Sequence, residues 1–169
     1  VDAEGVAVRR TEIIRDGILT SYLHNRETLA AVGNGIAGHA RAEHGAPPIV
    51  RMSNTFIENG DATYDEIISE CMDGILLIGS RGGQVDPGRG VFQFNAEYGY
   101  LIEGGEKTDM VRDVSLSGEI LSTLHNIALI GNDRRMSPGY CGKGGQSVPV
   151  SDGAPHLLLE NAVIGGRGE

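Results

Sequence analysis

Cys141 is the residue of this chain whose type and surroundings most clearly suggest chemistry. It lies in Tyr140-Cys141-Gly142-Lys143-Gly144-Gly145-Gln146, which we interpret as a glycine-rich loop. A thiolate can bind a soft metal ion or act as a nucleophile, and glycines let the backbone approach a ligand closely. The residues alone leave a metal ligand, a nucleophile and an unreactive structural thiol all open.

A second glycine-rich segment, residues 81–90, contains two more candidates, Gln84 and Asp86. This segment either shapes a binding cleft or only turns the chain between strands, and the residues do not favour one alternative. Together with Lys143, these two side chains are our candidate substrate-binding residues. Lys143 does not belong to a phosphate-binding P-loop, because that motif requires Ser or Thr after the lysine and Gly144 follows here.

Two histidines, His39 and His44, invite a metal-site interpretation that their context opposes. Zincin histidines lie on a helix with a glutamate directly after the first of them, whereas Glu43 here precedes the second. The flanking glycines also oppose a helix, so we expect both histidines to be solvated loop residues. Cys71 falls on the apolar stripe of a predicted helix, and we expect it to be a core residue.

Composition narrows the class of protein. The chain has 169 residues, 40% of them apolar, which suits one domain with a hydrophobic core, predicted over residues 1–169. The net charge of −9 argues against a nucleic-acid partner, and no apolar run is long enough to span a membrane. Only two cysteines occur, which favours reduced thiols and a cytoplasmic protein.

The elements expected around these residues form a strand-rich α+β domain of antiparallel hairpins with about two principal helices. Asp16-Gly17 predicts a hairpin turn, since a type I′ turn needs positive φ at both positions. Apolar residues at helical spacing predict the two helices over residues 65–75 and 117–130, and Asn25 is the predicted cap of a shorter third.

Ordered short motifs along nearly the whole chain give it a family resemblance. It resembles the TldD/PmbA metallopeptidases, and among them the TldD-type subunit, in the stretches Asp16-Gly17-Ile18-Leu19, Arg51-Met52-Ser53-Asn54-Thr55-Phe56-Ile57, Gly82-Gly83-Gln84-Val85-Asp86, Ile130-Gly131-Asn132-Asp133, Cys141-Gly142-Lys143 with Gly145-Gln146-Ser147-Val148-Pro149-Val150, and Val163-Ile164-Gly165-Gly166.

The resemblance implies a zinc peptidase that acts on unfolded or extended peptides. It implies that Cys141 is a zinc ligand, with the remaining ligands and the catalytic glutamate in an upstream His-Glu-x-x-x-His motif. That motif is absent from these residues, so we expect a carboxy-terminal fragment that is inactive alone. A PmbA-type partner subunit or a homodimer is also implied. A non-catalytic scaffold or partner-binding module, and a thiol enzyme with His125 or His156 as base, remain as alternatives.

Overall fold

A computed structural model describes residues 1–166 of the chain. Three helices lie within these residues: α1 (Arg26–Val32), α2 (Tyr64–Cys71) and α3 (Ile120–His125). The strands of the first part of the chain are β1 (Ile14–Arg15), β2 (Ile18–Leu19), β3 (Leu23–His24), β4 (Ile36–Ala37), β5 (Ala40–Arg41), β6 (Ile49–Val50), β7 (Asn54–Phe56), β8 (Gly74–Ile78) and β9 (Gly83–Asp86). Those that follow are β10 (Val91–Asn95), β11 (Tyr98–Glu103), β12 (Glu106–Val111), β13 (Ser115–Glu119), β14 (Ile127–Ile130), β15 (Arg135–Lys143), β16 (Gln146–Ala154), β17 (Leu157–Leu159) and β18 (Val163–Gly165).

The chain divides into two compact units. Unit 1 comprises Val1–Ile57 and Arg135–Gly153, and unit 2 comprises Glu58–Arg134 and residues 154–166. The single domain predicted over residues 1–169 stays a prediction.

Unit 1 is built from short pairings and one longer hairpin. The predicted Asp16-Gly17 turn is confirmed: both residues have positive φ, and β1 and β2 pair antiparallel around them. The predicted cap is confirmed: Asn25 Oδ1 accepts a hydrogen bond from the Thr28 backbone N–H at the start of α1. The long strands β15 and β16 are joined at Gly144-Gly145, and β7 adds to β16 in parallel.

The buried residues of unit 1 are mostly polar. Ala40 and Val148 are its buried apolar residues within the described part of the chain, whereas five polar residues are buried there: His24, Asn25, His39, Arg51 and Gln146. Buried polar groups must be hydrogen-bonded to avoid a large desolvation cost. Hydrogen bonds between chain segments therefore contribute much of the stabilisation of unit 1 that apolar packing provides in an ordinary core.

Within the described residues, unit 2 contains three antiparallel sheets and the apolar core. Their strand orders are β12-β11-β8, β18-β13-β10-β9 and β14-β17. Ile67 from α2 and Ile102 from β11 are buried, as are Ala96 and Val114. The strand-rich α+β class is confirmed, with two helices of seven or more residues.

The helix predicted over residues 117–130 is wrong at both ends. Ser117 and Gly118 belong to β13, which pairs with β10, and residues 127–130 form β14, which pairs with β17. Only Ile120–His125 is helical, because pairing with neighbouring strands outweighs the helical spacing of the apolar residues. The helix predicted to end at residue 75 stops at Cys71, where Met72 adopts a φ of +51°.

Candidate functional site

Cys141 lies on strand β15, not in a loop. The turn residues are only Gly144 and Gly145, with φ of +58° and +72°, and the glycines before and after this pair do not interrupt the pairing of β15 with β16. The sequence prediction of a glycine-rich loop around Cys141 is therefore wrong. Its thiol is free and half-buried, so it can still reach a ligand from one side.

A single arginine holds the tip of this hairpin. The Nη2 group of Arg51 donates hydrogen bonds to the carbonyl oxygens of Cys141 at 2.9 Å, Lys143 at 3.0 Å and Gln146 at 2.8 Å. Arg51 is only 2% exposed, so these charge-assisted bonds form away from competing water. The backbone at Cys141 and both sides of the turn thus share one donor.

Three further side chains tie the same tip to residues 43–50. Lys143 donates from Nζ to the Val50 carbonyl at 2.7 Å. The buried Gln146 side chain accepts the Glu43 amide at 3.0 Å and donates to the Pro47 carbonyl at 3.0 Å. The Glu43 carboxylate in turn accepts the Ser147 amide at 3.0 Å. This cluster, which we call the hairpin clamp, consists of Arg51, Lys143, Gln146 and Glu43.

The hairpin clamp gives Lys143 a structural role that sequence reasoning did not predict. It also explains how a cysteine in glycine-rich surroundings can be held in a defined position. The signal available in the sequence was Arg51 itself, a charged residue directly after Pro47-Pro48-Ile49-Val50. An arginine in an apolar strand must find buried partners, although the sequence does not say which.

Two histidines of unit 1, His24 and His39, are engaged in structural hydrogen bonds. His39 is 8% exposed, so its prediction as a solvated loop residue is wrong: Thr11 Oγ1 lies 2.8 Å from its Nε2, and the His24 amide donates to its Nδ1. His24 is bonded through both ring nitrogens, to Thr28 and to the Asn34 carbonyl. His44 is exposed, as predicted. Within residues 1–166 no group of three or more His, Cys, Asp or Glu side chains is arranged to hold a metal ion.

Gln84 and Asp86 lie on β9, in unit 2. β9 is at the edge of its sheet, and all four of its residues are exposed. Asp86 Oδ1 accepts the Arg89 amide at 3.1 Å and so stabilises the turn into β10. Gln84 stands opposite Gln93. Residues 83–86 are thus a strand, where the sequence predicted a loop.

Unit 2 also contains an oriented histidine that sequence reasoning did not place. His156 Nδ1 lies 2.6 Å from Asp133 Oδ2, and the His156 amide donates to Asp133 Oδ1 at 3.0 Å. Tyr64 packs edge-to-face on the imidazole ring. The hydrogen bond from the His156 backbone N–H is the main reason why the pKa of Asp133 is lowered from its usual value. The His156 imidazole lowers this pKa further, and partial burial opposes both effects.

In the described residues, none of the helices is both long and apolar enough to cross a bilayer.

Comparison with known proteins identifies the family. The family model of the "PmbA/TldA metallopeptidase C-terminal domain" matches residues 1–166. The chain belongs to the TldD/PmbA metallopeptidase family. It forms the carboxy-terminal domain of that family's fold, which confirms the resemblance in the sequence motifs.

Relatives within the TldD/PmbA family are named as proteases. The chain is 51% identical to a metalloprotease of Methanothermobacter thermautotrophicus over 98% of its own length and 36% of the relative's. It is 37% identical to a "Zinc metalloprotease TldD homolog" of Saccharolobus solfataricus, again over 98% of this chain and 37% of the relative. The chain therefore spans a little over a third of these TldD/PmbA proteins.

A solved TldD/PmbA structure shares the fold. TldE of Thermococcus kodakarensis superposes with a TM-score of 0.80 at 23% identity, over 98% of this chain and 36% of that one. At this identity the likeness supports the fold alone.

Proposed function

We propose that this chain is the carboxy-terminal domain of a zinc-dependent peptidase and supplies the Cys141 thiolate as one zinc ligand. The observation that carries the proposal is the hairpin clamp around a free, half-buried thiol in a chain of this family. Cysteine sulfur is a good zinc ligand, and a catalytic zinc needs three protein ligands and one open position. A fixed backbone at Cys141 lowers the conformational entropy lost when a metal binds.

The other ligands would come from outside the chain. No His-Glu-x-x-x-His sequence occurs in the 169 residues, and the described part of the chain holds no three-ligand cluster. A bound zinc would act as a Lewis acid and lower the pKa of a water molecule for peptide hydrolysis. The contribution of this chain is to present the sulfur, and its backbone partners fix where that sulfur lies.

We propose that the substrate is an unfolded or extended peptide that pairs with a free strand edge. β10 lies between β9 and β13, so both of its edges are occupied. One available edge is β9, where Gln84 and Asp86 lie, and β9 is exposed along its whole length. Pairing through backbone amides tolerates many side chains, which suits broad specificity. Lys143 stays a substrate-binding proposal of lower rank, because its ammonium is already bonded to Val50.

N-methylation of a peptide substrate tests this mode of binding. Methyl groups on alternate backbone amides should weaken binding in one register and leave it nearly unchanged in the other, since alternate amides point to opposite sides of a strand. Equal tolerance in both registers would contradict strand pairing, as would rapid cleavage of a tightly folded protein.

We further propose a PmbA-type partner subunit or a second copy of the parent protein, and a cytoplasmic location. Support for the partner comes from membership of the TldD/PmbA family. Support for the location comes from the two free cysteines.

A non-catalytic scaffold is the second candidate, and the absence of a three-ligand cluster within residues 1–166 favours it for the isolated chain. Chelator and alkylating agents separate the alternatives in the parent protein. A zinc peptidase loses activity with a chelator and regains it when zinc is added. A thiol enzyme keeps its activity in the chelator and loses it on alkylation. A pure scaffold has no activity to lose.

The isolated chain should not cleave peptides. One thiolate cannot hold zinc in a catalytic geometry, so an unfolded fluorescent peptide incubated with the purified chain should remain intact, with or without added zinc. Chelator-sensitive cleavage by the chain alone would contradict the assignment of the remaining ligands to another segment.

A further inference from the structure

The hydrogen bonds of β10 show in which direction its backbone groups point. The Asn95 amide donates to the Gly82 carbonyl at 2.9 Å, and the Asn95 carbonyl accepts the Arg81 amide at 2.8 Å. The backbone of Asn95 therefore faces the β9 side of the sheet. The next residue, Ala96, donates to the Val114 carbonyl on the other side. The direction thus alternates from one residue to the next, as an antiparallel sheet requires.

The same alternation turns the backbone of Val85 toward the open edge of β9. Two and four residues before Asn95 the backbone of β10 again faces β9, and the residues opposite these positions are Gln84 and Asp86. Val85 lies between them, so its N–H and C=O point away from β10. Among the described strands β10 is the one partner of β9, so a peptide strand added at this edge would bond to Val85.

The Val85 side chain belongs to an apolar face of the sheet. Val85 stands opposite Phe92, so both side chains lie on one face, and Phe94 shares that face because it is two residues further along. Leu116 on β13 and Ile164 on β18 continue this apolar face across the sheet. Val85 is 49% exposed and Phe94 is 40% exposed. The apolar face therefore extends to the open edge and is accessible there.

The Phe94 ring reaches the edge strand itself. A Cβ at Gly83 would lie 2.5 Å from Phe94 Cδ1, so the ring packs directly against the Gly83 backbone. The opposite face of β9 carries the side chains of Gln84 and Asp86, because side chains alternate along a strand. The open edge thus has an aromatic and aliphatic side and a polar side.

We propose that these two sides of β9 select the side chains of the bound peptide. The peptide residues opposite Gly83 and Val85 would lie on the apolar face, beside the Phe94 ring and the Val85 side chain. The residue between them would lie beside Gln84. The substrate class is therefore an extended peptide with the pattern apolar-polar-apolar. This inference rests on the proposed function in one respect, the pairing of the peptide with β9, and it does not depend on the assignment of Cys141.

Two peptides of equal composition test the selection. Thr-Leu-Thr-Leu-Thr-Leu-Thr places all three leucines on one side of a strand, whereas Thr-Leu-Leu-Thr-Thr-Leu-Thr has no two leucines two residues apart. The first peptide can fill both apolar positions with leucine, and the second can fill only one. Burial of one additional leucine should make the first peptide bind about fivefold more tightly or more. The affinities are measured by NMR titration of the chain, with both peptides acetylated and amidated.

The Val85 amide signal separates failure of the selection from failure of the pairing. Both peptides should shift this signal, because backbone pairing does not depend on side chains. A shift with equal affinities, or with tighter binding of the second peptide, would overturn the selection and leave strand pairing standing. A Val85 signal that neither peptide shifts would overturn pairing at β9, and this inference with it.

A matched pair of variants locates the selection. Val85→Thr keeps the β-branched shape and the backbone amide but replaces a methyl group with a hydroxyl, so the preference for the first peptide should fall about threefold. Val163→Thr makes the same change at another exposed valine, on β18 and on the face opposite Ile164. It should leave the preference within about twofold of wild type. An unchanged preference in Val85→Thr, or an equal loss in both variants, would contradict the proposal.

Discussion

At the scale of single residues, the side chain that offers a candidate metal ligand differs from the side chains that hold its backbone in place. Cys141 carries the proposed zinc-binding sulfur, while Arg51 and Gln146 hold the backbone of its hairpin in place. Cys141 was identified from its type and its family context. Gln146 and Arg51 could not be assigned this role from the sequence, because their partners are main-chain groups about a hundred residues away.

Gln146→Leu tests the hairpin clamp. The substitution removes two hydrogen bonds and leaves the Glu43 amide and the Pro47 carbonyl without their partner, so the free energy of unfolding should fall by about 2–4 kcal/mol. Urea denaturation measures the loss, and hydrogen exchange should show faster opening at residues 141–147.

The neighbouring change Ser147→Ala is a matched control. Ser147 is exposed and contributes its backbone amide, which alanine retains, so the free energy of unfolding should change by less than about 0.5 kcal/mol. Equal destabilisation by both substitutions would argue against a specific role for the Gln146 side chain.

At the scale of elements, hairpins with strong turn signals were predictable. The turn predicted at Asp16-Gly17 is present, with positive φ at both residues. The Gly104-Gly105 pair between β11 and β12 likewise has positive φ at both positions. Residues 117–130 were not predictable, because their helical spacing competes with strand partners that only the fold supplies. The strand at Gly83–Asp86 was missed for a related reason: its glycines suggest a loop, and its one partner is β10.

Gly60 shows a constraint between elements of unit 2 that the sequence does not reveal. A Cβ at this position would overlap the Ile130 carbonyl oxygen and lie 2.8 Å from Ile130 Cβ. Gly60→Ala should therefore lower the free energy of unfolding by about 1–3 kcal/mol, measured by urea denaturation. Gly88→Ala, whose Cβ would come no closer than 3.4 Å to its nearest neighbour, Asp86 Oδ1, should change the free energy of unfolding far less. Similar losses in the two variants would contradict the steric argument.

The Asp133–His156 pair joins two segments of unit 2 and should stabilise it in a pH-dependent way. Because the folded-state pKa of Asp133 is depressed, its contribution is present above the unfolded-state pKa of about 3.9 and is lost as the pH falls through the lower folded value. Asp133→Asn should cost about 1 kcal/mol near neutral pH.

The free energies of unfolding of wild type and Asp133→Asn should become similar in acid. Denaturant melts of wild type and Asp133→Asn between pH 7 and pH 3 should show a difference that shrinks below about pH 4. A difference that is constant over this range would mean that the carboxylate charge does not contribute.

At the scale of the whole molecule, the candidate zinc site is incomplete within the described residues 1–166. It covers a little over a third of the length of its named relatives, and its residues include one candidate ligand for a metal that needs at least three. The His-Glu-x-x-x-His motif that the family resemblance implies does not occur in these 169 residues. The structure adds that the backbone of the candidate ligand Cys141 is held by a hydrogen bond from Arg51.

The zinc content of the parent protein with Cys141→Ser tests the central claim most directly. Serine removes a sulfur ligand expected about 2.3 Å from zinc. Zinc per protein, measured by atomic spectroscopy, and peptidase activity should therefore fall together. Cys71→Ser is the control: Cys71 is half-buried, and its burial, followed by the charge of Asp73, raises the pKa of its thiol. That variant should lose about 1–3 kcal/mol of stability and keep its zinc. Stoichiometric zinc and full activity in the Cys141→Ser protein would contradict the account.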